Sequence, residues 1–169
     1  MVQKSYDGKP TLYFISTPIG NLEDITIRAL NILKEVEFVL CEDTRVTGVL
    51  LKKYDIKKNL IRCDEYSQLK MKNQVLDTLE SGKNIGFVSD AGSPVISDPG
   101  YVIARGVIEA GFNVISLPGA TAFVPALSSS GIEPSPFLFY GFFDNSGSRK
   151  SDQSLRFRYV NIPQNGERR

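Results

Sequence analysis

Histidine is absent from the chain. The commonest general base and metal ligand is therefore missing, which excludes Ser-His-Asp hydrolysis and His-based zinc chemistry. Cysteine is nearly absent too: Cys41 and Cys63 lie too far apart for a tight CxxC motif and read as reduced, structural thiols of an intracellular chain. No apolar run approaches the length of a membrane span, and the opening MVQKSYDGKP is polar where a signal sequence would be basic and then apolar. The expected location is the cytoplasm. No GxGxxG follows the first strand-like run and no GxxxxGK[ST] occurs anywhere, which argues against ordinary Rossmann dinucleotide binding and P-loop phosphate transfer. Nor is there an excess of one charge. The formal net charge is +1, and residues 144–169 hold six Lys or Arg against three Asp or Glu, which leaves fourteen against sixteen for residues 1–143. A body of that balance is no generic basic nucleic-acid binder, so any such surface must be a local patch.

What is present is ordinary globular material, 41% hydrophobic and 23% charged, in a length that suits one sizeable domain with or without a tail. Aromatic and β-branched runs predict strands at 11–16, 36–41, 85–89 and 113–117, a short one at 60–62 and a last one at 137–142 (FLFYGF). Between them, apolar residues at helical spacing predict helices over about 25–34 (with Asp24 as cap and a stripe of Ile27, Leu30, Leu33 and Val36), around Val49–Tyr54, over 69–80 with Gly82 as stop, over 101–110, and through Phe123–Ser130. Strands alternating with helices predict an α/β fold with a mostly parallel sheet and helices on both faces. The polar, Ser/Asn/Gly-rich and then basic stretch 144–169 reads as a disordered or loosely packed tail.

The densest turn chemistry follows the Ile85–Ser89 run. Ser89–Gly100 holds three Ser, two Pro, two Gly and the acids Asp90 and Asp98, which is more than a strand-to-helix turn needs. Two more loops of similar composition, 17–21 and 118–122, also fall at carboxyl ends of predicted strands, where open α/β sheets hold ligands. The three would gather on one sheet edge. There backbone groups can approach a ligand closely and Asp90 can accept hydrogen bonds from a ribose or an amine, so a nucleotide-like ligand fits. A fourth polar cluster, Glu42-Asp43-Thr44-Arg45, ends the 36–41 strand; it reads either as a functional loop or as a helix cap with a surface ion pair between Asp43 and Arg45.

Five ordered motifs, TPIGNLEDITIRAL (17–30), CEDTRVTGVLL (41–51), FVSDAGSPVISDPGY (87–101), LPGATAFVPALSSSGI (117–132) and FLFYGFF (137–143), together resemble the RsmI (YraL) family of the tetrapyrrole methylase superfamily. The resemblance implies an S-adenosylmethionine-dependent methyltransferase acting on the ribose 2′-O of a cytidine in 16S rRNA of the small ribosomal subunit. It implies as well that residues 1–143 form the N-terminal domain of the tetrapyrrole methylase fold, with the donor in a cleft between this domain and a C-terminal one that 144–169 does not resemble. Carried over residue by residue, Ile19, Asp90, Ser93, Thr121 and Ala122 match donor-contacting positions, with Pro18, Gly20, Gly92 and Pro94 shaping the loops. Superfamily members commonly dimerise, so a homodimer is a further expectation.

Methyl transfer from a sulfonium is an in-line displacement, in which alignment of the acceptor oxygen supplies much of the acceleration. A ribose hydroxyl is a poor nucleophile, and a positioned carboxylate can take its proton. Glu42 and Asp43 are the candidates for that role or for holding the ribose, and Arg45 for a nearby phosphate through its planar donor fork. No metal is called for. In place of the histidine-bearing HEHN-like segment of many members, this chain has Cys63-Asp64-Glu65-Tyr66-Ser67. The rival readings are methylation of a tetrapyrrole precursor or of another small molecule or protein, and a noncatalytic remnant that binds RNA or dimerises through 137–143.

Overall fold

The computed structural model describes residues 8–64, 67–96 and 98–139. The chain divides into one compact unit over Met1–Ser135 and a second over Pro136–Arg169. Five strands, β1 (Thr11–Ile15), β2 (Phe38–Cys41), β3 (Asn59–Arg62), β4 (Ile85–Val88) and β5 (Asn113–Leu117), form one sheet in the order β3-β2-β4-β1-β5. Every pairing is parallel. The helices between them are α1 (Ile27–Glu35), α2 (Thr44–Lys53), α3 (Gln68–Glu80) and α4 (Tyr101–Glu109), and α5 (Phe123–Ser129) follows β5.

The central strands β1, β2 and β4 are buried along their whole length because each face of the sheet carries its own helical layer. On one face Tyr13, Ile15, Val39 and Val88 pack with Ala29, Ile32 and Leu33 of α1 and with Leu50 and Leu51 of α2. On the other, Leu12, Phe14, Leu40, Ile85 and Phe87 pack with Val75 and Leu79 of α3 and with Ile103 and Val107 of α4. Phe14 and Phe87 meet edge to face with centroids 5.5 Å apart. The alternation Leu12/Tyr13/Phe14/Ile15 thus feeds two cores in turn, as the two-residue period of a strand requires.

Four sequence expectations are corrected. Helix α1 starts at Ile27 and is capped by Thr26, whose Oγ1 accepts from the Ala29 N–H at 3.1 Å, while Asp24 lies in a 3₁₀ turn over Leu22–Asp24. Its expected stripe is also wrong at Ile27, which is 79% exposed. A repeat of three residues drifts about 60° per step around a helix of 3.6 residues per turn, so a stripe anchored on Val36 reaches the solvent side by Ile27. The buried set is Ala29, Ile32, Leu33 and Val36. Strand β2 begins only at Phe38, because Val36 caps α1. Of the expected last strand, residues 137–139 carry no strand and 140–142 lie outside the described residues, as does the expected tail 144–169. Gly82, at φ +86°, follows the α3 cap Ser81 as expected.

Connectivity sets where a ligand can sit. From β1 and from β2 the chain moves toward the β3 edge over the α1/α2 face; from β4 it moves the other way, over the α3/α4 face. The loop after β4 therefore parts from both neighbours at the carboxyl edge. Such switch points open crevices in α/β sheets, and here one lies on each side of β4.

Candidate functional site

On the β1 side the crevice is stitched. Thr17 and Gly92 exchange two backbone hydrogen bonds, Thr17 N–H to Gly92 O at 2.9 Å and Gly92 N–H to Thr17 O at 3.0 Å. The Thr17 hydroxyl donates to Ser89 O at 3.0 Å, and the Ser89 hydroxyl to Gly92 O at 3.1 Å. The Ser16 and Ser93 hydroxyls lie 2.9 Å apart, and Ser16 Oγ also reaches Leu117 O at 3.3 Å. Gly92 is buried at φ +84°, a conformation that suits glycine. At Gly119 a Cβ would fall 2.6 Å from Ser16 Cβ, so only a residue without one lets the third loop approach the first this closely.

These contacts bring together the three loops expected to share an edge. Pro18 and Pro94 are buried, Ser93 and Thr121 half-buried, and Ile19, Gly20 and Ala122 exposed. Ile19 overlies Gly92: its Cγ2 would be 3.5 Å from a Cβ placed there. Val95 holds φ +76°, a costly conformation for a β-branched residue.

The β2 side is open. Asp90 Oδ1 accepts from the Asp43 N–H at 3.1 Å, tying the central loop to the start of α2. Beyond that bond lies a cleft of about 710 Å³, lined by Glu42, Asp43, Thr44 and Arg45 after β2, by Arg62 and Asp64 after β3, and by Asp90 and Pro99 after β4. Burial raises the Glu42 pKa, and the charges of Asp98 and Asp90 add to the rise; a hydrogen bond from the Asp90 backbone opposes it. Asp98 is raised in the same way, by burial and by Asp90.

Asp43 differs from its neighbour. It is the N-cap of α2, with Oδ1 accepting from the Arg45 N–H at 2.8 Å, and its carboxylate is gripped by the Arg45 side chain, Nε to Oδ1 at 3.0 Å and Nη2 to Oδ2 at 2.6 Å. Those bonds bring its pKa down to about 2. The cap-and-ion-pair reading of this quartet thus describes Asp43 and Arg45, and leaves Glu42 as the acid suited to take up a proton.

Sequence reasoning did not place Ser16, Arg62, Asp64 or Asp98 in the site. Asp98 carried a signal, as the second acid of the central loop. Arg62 carried only its place at the end of a short strand, beside β2. Cys41 and Cys63 are free thiols buried in the cores on opposite faces of the sheet. Burial pushes the Cys63 thiol up to about 11. Among the described residues no three of His, Cys, Asp or Glu group to hold a metal, and no helix is long and apolar enough to cross a membrane.

A parallel α/β sheet with this edge is a fold that other proteins share. A family profile described as Tetrapyrrole (Corrin/Porphyrin) Methylases matches residues 11–157. The chain belongs to that family. The match runs past Phe143, where the motif resemblance was expected to end. Among curated relatives, the ribosomal RNA small subunit methyltransferase I of Streptococcus pyogenes serotype M18 is 46% identical over 92% of this chain and 54% of its own length. The proteins of that name from Bacillus subtilis and Thermotoga maritima are 44% identical over 89% and 48% identical over 82% of this chain, covering 53% and 63% of their own lengths. The chain thus spans about half the length of the first two relatives and somewhat more of the third. Among solved structures, uroporphyrin-III-C-methyltransferase from Thermus thermophilus superposes with a TM-score of 0.55 at 24% identity, over 73% of this chain and 54% of that one. At that identity the likeness establishes the tetrapyrrole methylase fold.

Proposed function

We propose that this chain carries the S-adenosylmethionine site and the acceptor cleft of a methyltransferase that modifies the ribose 2′-O of a cytidine in 16S rRNA. The observation that carries the reading is the pair of crevices flanking the loop after β4, one closed and neutral, the other open and acidic, in a chain whose relatives are named small-subunit rRNA methyltransferases. The β1-side loops suit a folded nucleoside. Gly92, Gly119 and Ala122 keep side-chain bulk out of the crevice, and Asp90 supplies an acceptor at its rim. In this reading Ile19, Asp90, Ser93, Thr121 and Ala122 hold the donor, with Pro18, Gly20, Gly92 and Pro94 fixing the loop backbones.

The donor supplies a methyl group on a sulfonium. Glu42 takes the proton of the ribose hydroxyl, and its raised pKa makes it a better acceptor than an ordinary carboxylate. Asp43 cannot share that role while Arg45 holds it at about 2; it anchors α2 and, through its N–H, the Asp90 carboxylate. In the cell the partner is the small ribosomal subunit, in the cytoplasm.

The first test is calorimetric titration of this chain with S-adenosylmethionine and its demethylated product. Asp90→Ala is expected to weaken binding at least about tenfold, and Asp90→Asn, which keeps an acceptor for the Asp43 N–H, to weaken it less. The second test is methylation of small subunits that lack the mark. No donor binding, or turnover on a tetrapyrrole acceptor and none on subunits, overturns the proposal.

A further inference from the structure

Arg62 ends the edge strand β3 and opens onto the same cleft as Glu42. β3 pairs with β2 in a register that sets Arg62 beside Cys41, the residue before Glu42. Neighbouring strands lie about 4.8 Å apart, so the long arginine side chain starts one strand away from the proposed base.

The two arginines of the cleft are held differently. Arg45 is gripped by two oxygens of Asp43. Among the described residues, Arg62 has a single 3.4 Å approach, from Nε to Asp64 Oδ2, with its side chain 71% exposed. An exposed pair at that distance contributes little and is easily exchanged. Asp64, for its part, is engaged in a turn, its Oδ1 accepting from the Ser67 N–H at 3.0 Å. The rest of the lining is rich in acid, with Glu42, Asp43 and Asp90 all carrying carboxyl groups. A polyanion entering such a cleft is repelled unless a cation takes its phosphates, and phosphate contacts set the register of a nucleic acid on a protein.

We propose that Arg62 is a positioning residue that binds a backbone phosphate of the RNA strand next to the nucleotide presented to Glu42, exchanging its loose pair with Asp64 for that phosphate. The inference rests on the reading of the chain as an rRNA methyltransferase.

The test is binding of a single-stranded small-subunit rRNA fragment by the chain between 50 and 200 mM salt, with steady-state methylation alongside. Arg62→Gln is expected to weaken RNA binding about tenfold at low salt and to reduce the slope of log affinity against log salt by about 0.7, the value of one phosphate contact on a single strand. The KM for RNA rises, kcat and donor affinity stay within about twofold, and Arg62→Lys recovers the salt slope but not the full affinity. A merely structural Arg62 would move stability and leave the slope alone. Binding of RNA by the unsubstituted chain with an unchanged slope in Arg62→Gln overturns this inference by itself. No RNA binding by the unsubstituted chain overturns the proposed function and this inference together.

Discussion

The loop after β4 has two flanks, built differently for the same topological reason. Toward β1 it is joined by a reciprocal pair of backbone hydrogen bonds and a hydroxyl pair, and Gly119 of the loop after β5 packs close to the same Ser16, all uncharged and mostly buried. Toward β2 a hydrogen bond from the Asp43 N–H to Asp90 Oδ1 crosses to the next loop, and beyond it carboxylates and arginines face an open cleft. Backbone contacts between small residues fix shape and exclude other conformers, whereas charges around a wet cleft fix little shape and are tuned by one another. The neutral flank suits a ligand that must be held in one pose. The charged flank suits one that must arrive, lose a proton and leave.

Substitutions that exchange the properties of the two flanks break this contrast most directly. The largest expected effect is Glu42→Gln, which removes the proposed proton acceptor and should lower kcat on subunits about a hundredfold or more while leaving donor affinity within about twofold. Single-turnover methylation measures it; an equal loss in Asp43→Asn would show that the two acids act as one unit. Next is Gly119→Val on the neutral flank. Its Cβ has no room beside Ser16 Cβ, so the third loop must move. Overpacking of this kind costs about 1–3 kcal/mol, read by urea unfolding, and donor affinity should fall at least about tenfold. A variant that binds the donor as before would place the ligand elsewhere than between the first and third loops.

The neutral flank and the 42–45 cluster of the charged flank were legible in the sequence, and the part of the cleft supplied from β3 was not. Gly92, Ser93, Pro18 and Gly119 announce themselves because close backbone approach demands small or φ-restricted residues, whatever the partner is. Arg62 and Asp64 have ordinary surface identities, and they share a cleft with Glu42 only because β2 lies between β3 and β4. Periodicity finds strands but not their order, so it cannot say that residue 62 lies beside residue 41. The misplaced stripe of α1 has a related origin: a spacing of three marks a helix but drifts off its buried face.

The contrast within the charged flank can be sharpened by pH. The folded-state pKa of Asp43 is depressed to about 2, below the ordinary carboxylate value near 3.9, so its contribution to stability is present above about pH 4 and lost as pH falls toward 2. Glu42 has the opposite sign. Its folded pKa lies above the ordinary value, so its contribution is fully present below about pH 4 and lost as pH rises through the folded value. Chemical unfolding as a function of pH should therefore show Asp43→Asn flattening the acid limb. Glu42→Gln should be more stable than the parent chain near neutrality even as it loses turnover.

The smallest expected effect is Ser93→Ala, which bears on how the neutral flank is held. It removes a 2.9 Å hydroxyl contact, yet Ser16 Oγ keeps Leu117 O at 3.3 Å, so the buried Ser16 hydroxyl is not left with an unmet donor. A single neutral hydrogen bond contributes about 1 kcal/mol net, and the remaining partner reduces that further. The variant should unfold within about 1 kcal/mol of the parent and bind the donor about two- to fivefold more weakly. If Ser93 holds the donor directly, the loss of affinity will exceed the loss of stability. Equal losses would make Ser93 a brace between loops, leaving the backbone of Gly92 and the side chain of Asp90 to meet the ligand.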